Sequence, residues 1–95
     1  MINAFRIDIT DRQGAVIVPA LKRKASEKKM VIKNVSTGLI PPSVRISFSG
    51  DDVKSYWTLG PNEISPIISG LKGGDSFFAY GVGGASVIEV MVWDS

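Results

Sequence analysis

Val44-Arg45-Ile46-Ser47-Phe48-Ser49 alternates apolar and polar residues without a break. Successive side chains of an extended chain point to opposite faces, so Val44, Ile46 and Phe48 are expected to share one buried face of a strand. Beyond it, Gly50-Asp51-Asp52 turns the chain into an expected strand from Val53 to Leu59, with Trp57 in phase with Val53 and Leu59. Gly60-Pro61-Asn62-Glu63 is a turn in which the proline ring fixes φ, and Glu63 lies off the core face expected for Ile64 and Ile68. Ile64 to Ile68 is a short strand broken by Pro66, and Ser69 to Asp75 is a glycine-rich loop. Ser76 to Val82 and Val87 to Trp93 then form an expected terminal hairpin across Gly83-Gly84-Ala85-Ser86.

The same punctuation runs toward the N-terminus. Ser36 to Ser43, with Gly38 and Pro41-Pro42, is a connecting loop, and Met30 to Val35 is a strand. Lys22 to Lys29 is polar and reads as a loop. Ala15 to Leu21 is apolar on both faces, with Pro19 placing it at an edge or a bulge. Asp11-Arg12-Gln13-Gly14 is a turn, and Phe5 to Thr10 alternates as a half-buried strand does. The fold class is therefore all-β. The expected architecture is a single antiparallel β-sandwich of about eight short strands, jelly-roll-like, forming one domain over residues 1–95. An immunoglobulin-like core would use a disulfide, and the chain has no cysteine.

Composition narrows the function. With 44% apolar and 21% charged residues the chain is an ordinary globular one. No apolar run approaches the roughly 18 residues of a membrane helix, and Met1 to Arg6 has no secretory-signal pattern. The absence of both histidine and cysteine removes the commonest general base and the best nucleophile, so no catalytic residue is expected. No cofactor or metal site is expected either. Asp51-Asp52 are adjacent and would point to opposite sides of an extended chain, which suits a turn better than a reaction centre, with a weak calcium site as the alternative. Gly81-Val82-Gly83-Gly84 lacks the Lys-Ser/Thr and the helix of a phosphate loop. Asn34-Val35-Ser36 matches a glycosylation sequon, without a secretory signal to give it meaning.

Two features point to contact with other molecules. The expected last two strands carry apolar side chains on both faces, with Ile88, Val90 and Val92 on one side and Val87, Met91 and Trp93 on the other. Phe77 and Ala79 are likewise backed by Phe78, Tyr80 and Val82. A sandwich strand needs one apolar face only, so Phe78, Tyr80, Val87, Met91 and Trp93 form the candidate interface, centred on Met91 and Trp93. Cover by other parts of the same chain is the alternative. The second feature is charge. Lys22, Arg23, Lys24, Lys28 and Lys29 against Glu27 give about +4, leaving about −2 of the net +2 for the remainder. This candidate electrostatic patch suits a solvated loop or the rim of a contact with an acidic protein. Nucleic acid is disfavoured, because no aromatic platform for base stacking lies near it in sequence. Tyr56, Trp57 and Tyr80 leave room for a bound glycan.

From Met30 onward the chain strings together Ile32-Lys33-Asn34-Val35-Ser36, Pro42-Ser43-Val44-Arg45-Ile46, Leu59-Gly60-Pro61-Asn62-Glu63, and Phe77-Phe78-Ala79-Tyr80-Gly81 followed by Ser86 to Val92. In this pattern it resembles small structural proteins of tailed bacteriophages. The resemblance implies a viral structural protein, a capsid decoration (cement) or head–tail accessory protein binding coat subunits through apolar strand faces. Its implied partners are further copies of itself as a homo-oligomer, a viral coat or tail protein, or both. Its implied location is the virion, assembled in the host cytoplasm. A carbohydrate-binding or adhesion module is the alternative from another class, and non-specific nucleic-acid binding a third.

Overall fold

The computed structural model describes residues 2–9, 14–18, 27–48 and 57–94. Eight strands run through them: β1 (Ile2–Ile9), β2 (Gly14–Ile17), β3 (Lys28–Asn34), β4 (Ser43–Ser47), β5 (Trp57–Leu59), β6 (Ile68–Leu71), β7 (Ser76–Val82) and β8 (Ser86–Asp94). They form two four-stranded antiparallel sheets, ordered β1-β8-β3-β6 and β2-β7-β4-β5. The pairing has a simple logic. β1 pairs with β8, β2 with β7, β3 with β6 and β4 with β5, as in one long hairpin whose halves run side by side. Rolling that hairpin sends alternate pairs to opposite sheets, and the β3–β8 and β4–β7 ladders seal each sheet. The expected sandwich is thus a jelly roll.

The core lies between the sheets and follows strand alternation. Met30 and Ile32 of β3, with Ile88, Val90 and Val92 of β8, face Val44 and Ile46 of β4 and Phe77 and Ala79 of β7, all buried. Each large side chain so buried contributes about 1.5–3 kcal/mol relative to exposure. Phe48, expected on the same face, lies one residue past the end of β4 and is 41% exposed, its ring centroid 5.8 Å from that of Phe77. Trp57 is in phase with buried Leu59 but is 43% exposed, because β5 is an edge strand and Trp57 stands at its end.

The expected terminal hairpin is not formed. β7 lies between β2 and β4, and β8 between β1 and β3, so residues 83–85 cross from one sheet to the other. Gly83 and Gly84 take φ of 95° and 143°, open only to glycine without strain. Gly81 permits the close approach, since a Cβ there would collide with the Gly84 carbonyl and the Ser86 hydroxyl.

The segment around Pro66 also differs from expectation. Ile64 makes only an isolated bridge to Lys33, and ladder pairing resumes at Ile68–Leu71, so the strand begins where the expected one ends and runs through 69–71, which the sequence presents as loop. Pro66 has no N–H to donate. Beside it, Ser65 bridges the gap: the Ile32 N–H donates to Ser65 Oγ (2.8 Å) and the Ser65 N–H to the Ile32 carbonyl (2.7 Å). The second strand is shorter than expected, Gly14–Ile17, and Pro19 lies outside the described residues.

Candidate protein-interaction face

The outward side of the β1-β8-β3 ladder is organised in cross-strand rows. Register aligns Ile2 with Trp93 and Lys29, Ala4 with Met91 and Val31, Arg6 with Glu89 and Lys33, and Asp8 with Val87. Side chains opposite one another across such a ladder touch, so each row acts as a unit. The Ala4–Met91–Val31 row is apolar, and Ile64 stands beside it. Together with Phe5, Val90 and the charged row these residues line a groove of about 380 Å³. Ile2, Ile64 and Met91 are 62%, 61% and 41% exposed. Ile64 is therefore a wall of this groove, where the sequence suggests a core residue. The charged row bounds one side. Arg6 Nη2 donates to Glu89 Oε2 at 2.9 Å, an exposed pair that sets orientation more than stability.

The five residues of the expected interface divide between two surfaces. Val87, Met91 and Trp93 lie on the groove face of β8. Phe78 and Tyr80 alternate with buried Phe77 and Ala79 on β7, so they face outward from the other sheet. The crossover between β7 and β8 is the reason: strands expected to be hairpin partners in one sheet sit in opposite layers, and their outward faces diverge. Tyr80 is engaged within the chain. Arg45 Nη1 donates to its hydroxyl at 2.8 Å, and the guanidinium carbon lies 5.8 Å from the ring centroid. Trp57 and Tyr80 fall on opposite phases of the β2-β7-β4-β5 sheet, which does not join them into one stacking platform. Tyr56 and Asp51-Asp52 lie outside the described residues.

The basic patch is likewise redistributed. Lys22, Arg23 and Lys24 lie outside the described residues. Lys28 and Lys29 belong to β3, where Lys28 shares the inward phase of Met30, Ile32 and Asn34 and is 1% exposed. Its ammonium pairs with Asp94 Oδ1 at 2.8 Å, closing one end of the core. Lys29 is half-buried on the groove face beside Trp93.

A second polar centre holds another part of the sandwich. Asn34 is fully buried, and its amide donates to the carbonyls of Pro42 (2.9 Å) and Leu59 (3.0 Å). Its Oδ1 accepts from the Ser36 N–H (3.0 Å) and the Ser36 hydroxyl (2.6 Å). Its own N–H donates to the Glu63 carbonyl, and its carbonyl accepts from the Asn62 N–H. Three separate segments, around Asn34 itself, Pro42 and Leu59, thus converge on one side chain. The sequon at Asn34 offers no acceptor in the folded chain, since both amide hydrogens are engaged and the residue is inaccessible.

Among the described residues no group of three or more acidic, histidine or cysteine side chains is placed to hold a metal ion. Among them, too, no helix is long and apolar enough to cross a membrane.

No protein-family model and no curated protein matches the chain. Among solved structures, one from the disulfide-linked pili that form Bacillus endospore appendages aligns with 99% of this chain and 87% of its own. The identity is 16% and the TM-score 0.48, a likeness too slight to bear on function.

Proposed function

We propose that the chain is a structural protein without catalytic activity, which binds neighbouring subunits of a larger particle through the outward face of its β1-β8-β3 strands. The specific form we favour is a virion accessory protein of the tailed-phage kind, clamping coat or tail subunits. One observation supports this most: the Ala4–Met91–Val31 row, with Ile64 and the Ile2–Trp93 pair, leaves a continuous apolar strip accessible on an ordered sheet face. Burying such a strip gains about 25 cal/mol per Å². The charged Arg6–Glu89–Lys33 row alongside it would fix register and exclude wrong partners. A stable interface takes about 800 Å² from each partner, roughly one seventh of the 5747 Å² that this chain exposes.

Capsid, portal or tail genes flanking the reading frame are the expected context, and a metabolic operon would end the virion assignment. The direct test is co-sedimentation with particles assembled from the products of those flanking genes, alongside a glycan array. Retention on particles, lost in Met91→Glu, with no glycan bound, is the expected result. Glycan binding without retention would transfer the chain to the adhesion class.

A further inference from the structure

β1 is an edge of its sheet, and among the described residues no strand pairs with its far side. Of the four edge strands it is the longest, with eight residues against four in β2, three in β5 and four in β6. Its ladder to β8 runs without a bulge, and it holds no proline, glycine or lysine. Shortness, bulges, proline and lysine are what normally blunt an exposed edge, and without them a row of backbone N–H and C=O groups stays open to another strand. The edge is also incompletely covered. Phe5 and Ile7 take the inward phase and pack against the core but are only half-buried, whereas Ile88, Val90 and Val92 of the neighbouring β8 are fully buried. Asp8 is exposed on the outward phase and makes no ion pair among the described residues.

We propose that β1 pairs antiparallel with β1 of a second copy about a two-fold axis at Ile7, joining the two β1-β8-β3-β6 sheets into one. The charges of the strand select both the partner and the register. With Ile7 opposite Ile7, Arg6 of each copy stands opposite Asp8 of the other, on the outward face where both are exposed. The next two-fold registers on either side put Arg6 opposite Arg6 or Asp8 opposite Asp8, and like charges directly opposite are destabilising. The matched register also completes the charged row. Lys33–Glu89–Arg6 holds two positive charges to one negative, and Asp8 of the second copy extends it to an alternating, balanced run of four. On the inward side Ile7 meets Ile7 and Phe5 meets Ile9, so the half-buried side chains of the edge gain cover. The contact is isologous and closes at a dimer. It uses the sheet edge, and the apolar strip on the outward face stays open to the partner of the proposed function.

Residues 5–9 of each copy make the ladder, a small interface, so association is measured up to millimolar concentration. In sedimentation equilibrium the full-length wild type should rise from 10.2 kDa toward twice that mass and stop there. Arg6→Asp and Asp8→Arg, each checked for folding by circular dichroism, should dimerise about tenfold more weakly alone, because every cross-strand charge pair becomes like-signed. Mixed in equal amounts they should recover at least the wild-type affinity, since each acidic side chain then faces a basic one. The chain has no cysteine, so cross-linking reads the register cleanly. Ile7→Cys under mild oxidation should form its disulfide-linked dimer about tenfold faster than Phe5→Cys, which the register holds away from its own copy. A wild type that stays at 10.2 kDa, single variants that associate as the wild type does, or equal cross-linking rates would each overturn the inference. A monomeric wild type still retained on particles overturns the pairing alone, and a matched dimer that particles do not retain overturns only the particle-binding role.

Discussion

Replacing Asn34 by alanine tests how much of the sandwich hangs on one side chain. The change leaves three backbone groups without their partner: the Pro42 carbonyl, the Leu59 carbonyl and the Ser36 N–H. An unsatisfied buried group costs about 1–3 kcal/mol, and water entering the vacated space relieves part of that. A net loss of about 3–5 kcal/mol follows, against a total near 5–14 kcal/mol for a domain of this length. The melting temperature should fall by about 12–40 °C, at roughly 4–8 °C per kcal/mol. Asn34→Asp keeps the shape and the Oδ1 acceptor but turns an oxygen toward two carbonyls, so its loss should be at least as large. Ser36→Ala removes the acceptor of the Val87 N–H and one bond to Asn34 Oδ1, and should cost about 1–3 kcal/mol. Urea unfolding, followed by circular dichroism and by fluorescence of Trp57 and Trp93, measures all three. A loss below about 1 kcal/mol for Asn34→Ala, at unchanged m-value, would refute the hub.

Three further outcomes are expected. Lys28→Met should destabilise by about 3–5 kcal/mol, because it removes the buried ammonium that Asp94 Oδ1 holds at 2.8 Å, and chemical denaturation checks this. Gly81→Ala should cost about 1–3 kcal/mol through its collision with the Gly84 carbonyl, while Gly38→Ala, with open space at its Cβ, is opposed only by its φ; paired thermal melts compare them. Arg6→Ala should change stability by less than about 1 kcal/mol, and that difference should vanish in 1 M salt.

The strand content was legible because alternation is a local signal. Val44 and Ile46, or Ile88, Val90 and Val92, must lie on one face wherever their strand is placed. The outward apolar side of β8 was legible for the same reason, and Val87, Met91 and Trp93 stand on one accessible face. Lys28 was not legible as a core residue, since a lysine beside Lys29 and Glu27 reads as solvated until its partner Asp94, distant in sequence, is brought opposite it. Nor was Ile64, which its Pro66-interrupted surroundings made look like part of a core strand.

What the sequence determined alone is the period: within each alternating run, which side chains share a face, and that no histidine or cysteine chemistry is available. What only the tertiary structure decided is which strands become neighbours. A turn rich in glycine serves equally for a hairpin and for a crossing between sheets, and the choice lies in contacts made by β1, β2, β3 and β4, far off in the chain. That choice separated Phe78 and Tyr80 from Met91 and Trp93, and it brought Ala4, Val31 and Met91 into one row.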